Sequence, residues 1–579
     1  MQAKKTLSAT LVAMSLGTLT ACGGSSDDSP APQVNAAPTN ITLSQNSVTE
    51  RLAGQMVGQL AAVDPDSGDS HTFTTQSTVF TIDGNMLKMA DGAMLFTSEE
   101  GDDIDVLVTV ADQGGLTKDV MLTVALTPKP EMYEFASHYG AHRSSVSYTG
   151  QTARHILIAE LNQYVKSGLK ADMDAGTVTT AAQTLAKLNQ FFNPDEATQY
   201  PDLPITFLDN SKDALIADIT GYKSLLQKVA GNDSGGQSKD WNTAGVFVGW
   251  TDGMTPTAVV GDLFQRLADN VEIEKTDGNT RQDPLGNDIS KIYLDEDGVD
   301  LAQMIQKFLL MAVPYSQASN DYFGDDTDDK GLRTDNTGPA KEGALYTNLE
   351  HQYDEGFGYF GAARNYLDYA DVEIAGKVSE GNGRADWNKK HDTDGDGKID
   401  LRSEYNFGQA VNAAKRDLGS AANAAATDYT KQAMDAFVAG RQLINDHVGA
   451  DLTPAQKTEL KDFVTTALDA WERAIAATVV HYINDTRADL APLATNGDPA
   501  QFNYADLAKH FSEMKGFALG LQFSEYAAIN DADFAQLQRL MGMAPVITGD
   551  VDSYRADLLQ ARDLLQRVYN FNADNTANW

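Results

Sequence analysis

Residues 453–484 read TPAQKTELKDFVTTALDAWERAIAATVVHYIN. Within this stretch Leu460, Phe463, Val464, Ala467, Leu468, Trp471, Ile475, Val479 and Tyr482 recur at three- and four-residue spacings, so an α-helix gathers them into one apolar stripe. The start of that helix is written in the residues as well. Thr453 stands as a cap, Pro454 occupies the first turn, and Gln456 lies where its amide can reach back to the cap. Working outward, no proline occurs between Pro339 and Pro454, and residues 405–447 are rich in alanine and other helix formers. Further upstream, Leu157, Leu161, Tyr164 and Val165 share one face of a helix beginning near Gly150. Acidic loops rich in Gly and Asp interrupt the pattern near 270–300, 324–340 and 378–400. Residues 131–579 therefore read as a large all-α helical-bundle domain.

The period changes before Pro130. From Ile41 to Leu126 apolar and polar residues alternate in short runs, including Phe73 to Phe80, Met86 to Met89 and Ile104 to Val110, separated by Asp, Gly and Ser clusters. Alternation of this kind predicts a small all-β sandwich over 40–127, and Pro128-Lys129-Pro130 marks its boundary. The fold class expected is multidomain, β-sandwich first and helical bundle second. The run Val63-Asp64-Pro65-Asp66-Ser67-Gly68-Asp69, with Phe80-Thr81-Ile82-Asp83-Gly84 and the closing stretch Asp119 to Leu126, resembles a bacterial cadherin-like, immunoglobulin-type module. It lacks the full linker motif that completes calcium sites between tandem cadherin repeats. Asp64, Asp66 and Glu50 are its candidate oxygen ligands for a hard cation, with turn residues as the alternative reading. A single copy of such a module suits a spacer.

The first residues carry an address. Lys4 and Lys5 precede an uncharged stretch from Leu7 to Leu19 and then small residues before Cys22, the layout of a secretory signal and too short to span a bilayer. Leu19-Thr20-Ala21-Cys22 resembles the bacterial lipoprotein box. That resemblance implies that residues 1–21 are removed, that Cys22 is lipidated and that the membrane is a partner through the lipid. Gly23 after the cysteine, in place of the retaining aspartate, implies the outer membrane, with either periplasmic or surface orientation. Residues 22–39, rich in Gly, Ser, Pro and Asp, form a solvated tether. Cys22 is the sole cysteine, so no intrachain disulfide can form.

The whole chain has 579 residues and a formal net charge of −38. A polyanion of this kind repels phosphate backbones, which excludes nucleic acid as a main partner. With 42% hydrophobic and 22% charged residues, most of the chain has the means to bury a core.

Two helices pair histidine with carboxylate. The first carries His351 and Glu355, the second His510 and Glu513, and residues three or four apart on a helix are neighbours. Aligning Glu355 with Glu513 also aligns Gly358 with Gly516 and Tyr359 with Phe517, a faint internal repeat consistent with two related bundles. Leu507, His510, Met514, Phe517 and Leu521 keep a three-four rhythm that puts His510 on or beside the buried seam. Histidine and carboxylate projecting into a bundle are ligands of iron and manganese sites; a buried ion pair of purely structural use is the alternative. Glu472, beside Trp471, and His481 on the long helix are further candidates. The His-x-x-Glu helix, the bundle and the lipoprotein start resemble imelysin-like proteins, iron-regulated envelope proteins once classed as peptidases. Ala508 departs from the glycine that precedes the histidine of that family's motif. The run Ser145-Val146-Ser147-Tyr148-Thr149-Gly150-Gln151-Thr152-Ala153-Arg154, with the two His-bearing segments, resembles a related group of bacterial lipoproteins of unassigned function across most of 131–579. These resemblances imply iron, haem or other metal handling at the envelope, and an envelope transporter as a partner.

The most specific motif lies elsewhere. Asp392-Thr393-Asp394-Gly395-Asp396-Gly397-Lys398-Ile399-Asp400 reproduces the first nine positions of an EF-hand loop, with Asp392, Asp394, Asp396, Lys398 and Asp400 at the ligand positions. Ser403 stands where the bidentate ligand belongs, and Glu404 follows one residue later, a displaced closing acid. The loop 392–404 is accordingly a candidate calcium brace.

Motifs of several enzyme classes are missing: His-Glu-x-x-His, Gly-x-Ser-x-Gly and the phosphate-binding Gly-x-x-x-x-Gly-Lys-Ser/Thr loop. The balance favours a binding role over catalysis. Three readings stand open at this point: an outer-membrane-anchored protein whose helical domain binds iron, haem or another metal species; a calcium-stabilised surface interaction or adhesion protein; and a metallopeptidase-like hydrolase built on His510 and Glu513.

Overall fold

The computed structural model describes residues 34–233, 237–379, 381–420 and 425–579. The signal at 1–21, Cys22 and most of the tether lie outside the described residues.

Eight strands lie between Asn40 and Thr127: β1 (Asn40–Leu43), β2 (Ser47–Thr49), β3 (Met56–Val63), β4 (Thr72–Thr75), β5 (Phe80–Asp83), β6 (Met86–Met89), β7 (Asp103–Ala111) and β8 (Thr117–Thr127). They form two sheets of four, ordered β1-β3-β6-β5 and β2-β8-β7-β4. The register of β7 on β8, from Asp103 opposite Ala125 to Ala111 opposite Thr117, puts Val106, Val108, Val110 and Val124 inside. They meet Val57, Leu60 and Leu87 of the other sheet, while Leu107 between them faces solvent. Period-two alternation thus becomes a two-layer core, each buried aliphatic contributing about 1.5–3 kcal/mol. One expectation needs correction. Phe73 to Phe80 is not a single strand: the Ser77 hydroxyl accepts from the N–H groups of Val79 and Phe80. That local turn ends β4 and sends β5 into the opposite sheet.

From Thr149 onward the described chain is helical, with 15 α-helices. Pro454–Asp489, 36 residues long, is the spine, and Thr453 with Gln456 closes the capping box read from the sequence. Against this spine pack Gly408–Asp417, Tyr429–Asp446, Tyr504–Gly520 and Val551–Tyr569. Leu460, Val464, Ala467, Leu468, Trp471, Ile475 and Val479 are all buried there, and the helices share one continuous apolar core from Tyr133 to Trp579.

Two helices change pitch near the centre. Thr149–Gln163 runs through a π-turn at Tyr164–Gly168 into Leu169–Ala175. Leu301–Leu310 continues as π-helix over Met311–Tyr315 and Gln317–Tyr322, with Pro314 inside. Proline has no N–H to give to the i−4 carbonyl, so a widened turn there is the physical consequence.

The strap between the sheets and the first helix holds the two regions together. Glu50 accepts from Lys129 N and Thr97 N, Met94 N donates to the carbonyl of His142, and Arg143 Nη1 donates to the carbonyl of Gly92. Gly54 comes so close to Asp394 that an added Cβ would sit 3.0 Å from the aspartate's own.

Candidate functional site

His351 and Glu355 lie on helix Asn348–Phe360, capped by Thr347 with Glu350. His351 Nδ1 donates to the Ser147 carbonyl at 3.0 Å, its ring stacks on Tyr346, and Nε2 stands 3.9 Å from Glu355 Oε1. That carboxylate also accepts from Gln151 Nε2 at 2.9 Å. The adjacent face of the same helix, with Glu350 and Asp354, accounts for the start of the 145–154 motif. Arg441, fully buried, donates to Glu350 at 2.8 Å, Asp354 at 2.7 Å and the Ser145 hydroxyl at 2.7 Å. Tyr133 and the Ser147 N–H complete the Asp354 carboxylate. This network locks strap to helix, which is a structural use of the motif.

His510 and Glu513 lie on helix Tyr504–Gly520. His510 Nδ1 is 2.7 Å from Asp489 Oδ2, and Asp485 stands 4.0 Å from Nε2. Burial works against the charged ring, but the two aspartates more than offset it and hold the imidazole above its ordinary value. Glu513 turns the other way, toward Lys307 at 3.5 Å, and its Oε2 is buried without a partner. The two pairs therefore have separate partners. Among the described residues, no cluster of three metal-ligating side chains includes His351, Glu355, His510 or Glu513. His481 bridges to Asp485 at 3.3 Å, and burial followed by Arg416 pushes its ring down to about 3. Glu472 is enclosed by Tyr315, Tyr569 and the Ala528 N–H, and burial raises it to about 7.

Beside Glu513 the helices enclose a cavity of about 310 Å³ whose charged residues are all lysines: Lys166, Lys307, Lys389 and Lys415. Each arrives from a different element. Lys166 rides on the π-turn Tyr164–Gly168, Lys307 on Leu301–Leu310, Lys415 on Gly408–Asp417 and Lys389 on a loop at φ +66°, a conformation that side-chain-bearing residues rarely adopt. Two glycines make room for them. A Cβ on Gly376 would strike Lys389 Cε, and one on Gly516 would meet Lys307 Cβ at 2.6 Å. Of the four, Lys307 has Glu513. Lys166, Lys389 and Lys415 have no acid within ion-pair distance among the described residues. Burial, then Lys307 and Lys389, pushes the Lys415 amine down to about 7, and burial with Lys307 lowers Lys166 and Lys389 as well.

The remaining wall is aromatic and amide. Tyr482 and Phe517 stack at 6.5 Å on one side, and Phe407, in contact with Tyr405, stacks on His155 at 5.0 Å on another. His155 hydrogen-bonds the Gly358 carbonyl through Nε2, its Nδ1 is unpaired, and burial lowers it to about 4, so the ring is neutral. None of the lysines stood out in the sequence, because they are far apart along the chain and share no spacing. Of the residues read from the sequence, Tyr482 and Phe517 line the cavity, and Glu513 meets it only through Lys307.

The acidic loop is a second, separate feature. The carboxylates of Asp392, Asp394 and Glu404 present oxygens within 4.8 Å of one another. Asp392 accepts from Gly395 N and Gly397 N, and Glu404 from Thr393 N and Asp400 N, so the displaced acid turns back into the loop. Burial raises Glu404 to about 7 and lifts Asp394. Asp396 faces Lys212 at 3.2 Å, Asp400 pairs with Arg402 at 3.0 Å, and Lys398 N bonds the Asp396 carboxylate. Ile399 bridges Ser211 in parallel and anchors the loop to the helical region. In the β region Asp64, Asp69 and Asp112 gather, with Asp64 also 2.9 Å from His71. Asp66 binds Ala36 N, and Glu50 serves the strap, so neither joins that group. A third group is Glu99, Glu100 and His142.

No helix among the described residues is long and apolar enough to cross a membrane. No curated protein matches the chain. Residues 130–373, less than half of it, match the model of a family described as Domain of unknown function (DUF4856). Lys166, Lys307, His351 and Glu355 fall inside the matched span, while Lys389, Lys415, Tyr482 and Glu513 fall beyond it.

Proposed function

We propose that this protein is a lipid-anchored binding protein of the cell envelope whose helical region takes up a small anionic ligand in the lysine-lined cavity. The observation that carries the reading is the convergence of Lys166, Lys307, Lys389 and Lys415 on one cavity, three of them without an acid, in a chain of net charge −38. Like charges brought together in a partly enclosed cavity are costly, and folding avoids such a cluster unless something compensates it. An anion does so, and the low local dielectric strengthens its hold. The cavity is at the lower end of the range for small-molecule sites, which suits a compact ligand. Exposed Lys166 and Gln163 on the rim supply a way in.

The reading departs from iron or haem because, among the described residues, neither histidine pair joins a cluster of three metal-ligating side chains. Calorimetric titration of the purified protein with inorganic phosphate and with citrate tests the proposal. Binding that weakens with salt and falls at least tenfold in Lys307→Met/Lys389→Met supports it. No heat with either anion overturns it. The anchor is tested separately: radiolabelled palmitate incorporated by the parent protein and lost in Cys22→Ser.

The convergent oxygens of Asp392, Asp394 and Glu404 favour a second reading, a calcium brace beside the β region. A hard cation suits carboxylate oxygens. Its place next to Gly54 means that filling the loop would also stiffen the contact between the two regions.

A further inference from the structure

We infer that the cavity's ligand is a compact polyol carrying an anionic group, an acidic monosaccharide, rather than a bare inorganic anion; this rests on the anion-binding reading above. Cations alone would be enough for an inorganic ion. This cavity has more. On the π-turned helix the side-chain amides of Asn162 and Gln163 line it and have no hydrogen-bond partner among the described residues. An amide offers an acceptor oxygen beside its donor nitrogen. An anion has no proton to offer that oxygen, whereas hydroxyl groups have.

The aromatic residues point the same way. Tyr482 with Phe517, and Tyr405 with Phe407, present ring surface at two sides of the cavity. Ring faces pack against the C–H surface of a sugar and give nothing to phosphate. Lys307 lies 5.8 Å over Phe517, so a cation and a ring face stand together, one for the acidic group and one for the carbon skeleton. The acidic group can be a phosphate ester or a carboxylate, since lysine meets either as a point charge.

The test is calorimetric titration of the full chain with glucose 6-phosphate, glucuronate, inorganic phosphate and glucose. The expected result is that one of the two acidic sugars binds at least tenfold more tightly than both phosphate and glucose, and which of them does so identifies the acidic group. Asn162→Leu and Gln163→Leu, at a half-buried and an exposed position, are expected to weaken the acidic sugar fivefold or more and to leave phosphate within twofold. Phosphate binding as tightly as either acidic sugar overturns this inference and leaves the anion site standing. Glucose binding as tightly as the acidic sugars, or no binding of any of the four, overturns both. Equal far-ultraviolet melting of parent and variants separates loss of binding from loss of fold.

Discussion

Lys307 and Glu513 face each other at 3.5 Å across two helices, and the helix of Glu513 comes close enough to do so because Gly516 has no side chain to strike Lys307. The pair sets the lysine at the cavity while leaving one glutamate oxygen buried and unpaired. A carboxylate facing Lys307, with Lys166 and Lys415 also within its field, moderates a repulsion that would otherwise be uncompensated in the empty protein.

Glu513→Gln removes that moderation. The expected outcome is a melting temperature lowered in the absence of ligand and a steeper rise on adding phosphate than in the parent, because more positive charge is left for the anion to neutralise. Differential scanning fluorimetry over a phosphate series reads both. An unchanged phosphate response would show that Glu513 does not face the bound anion.

Lys415 should be the most reactive amine of the protein at mild pH. With its amine pushed down to about 7 against an ordinary lysine near 10.5, it holds on the order of a hundredfold more free base than a surface lysine at pH 8. Limited acetylation at pH 8 followed by peptide mass spectrometry is expected to place the first modification there. Saturating phosphate should protect it, because a bound anion favours the ammonium form.

The 392–404 loop predicts a pH dependence whose direction calcium changes. Burial holds Glu404 at about 7, above its ordinary 4.5. Its contribution to stability is fully present below about pH 4.5 and is lost as pH rises through 7. In chelator the melting temperature is therefore expected to fall between pH 5 and 8, with Glu404→Gln flattening the decline. In millimolar calcium the decline should be smaller, since a cation favours the ionised acid.

Arg441→Met is expected to destabilise the helical region by about 3–5 kcal/mol, the usual consequence of removing one partner from a buried charge network. Glu350 and Asp354 would remain inside without their cation. Urea denaturation measures the loss. The companion change His351→Ala, at a side chain that engages a carbonyl, Tyr346 and Glu355, should cost less than about 1.5 kcal/mol.

Two periods along the chain determined the β-then-α order, the boundary near Pro130 and the capping of the long helix, because these follow from local geometry: side chains alternate on a strand, return every three to four residues on a helix, and a threonine three residues from a glutamine closes a first turn in any context. The acidic loop was legible for the same reason, its residues being adjacent. The sequence also singled out four histidines and glutamates by their spacing on single helices, and here tertiary structure decided otherwise. Ser147 lies 204 residues from His351, and Asp489 sits at the end of another helix, 21 residues before His510; of the four only Glu513 pairs with a lysine of the cavity. The lysine site itself was invisible, since Lys166, Lys307, Lys389 and Lys415 sit on four separate elements with no common period. Convergence of that kind is set by how helices cross and which glycines let them approach, a long-range property that spacing along one helix does not encode.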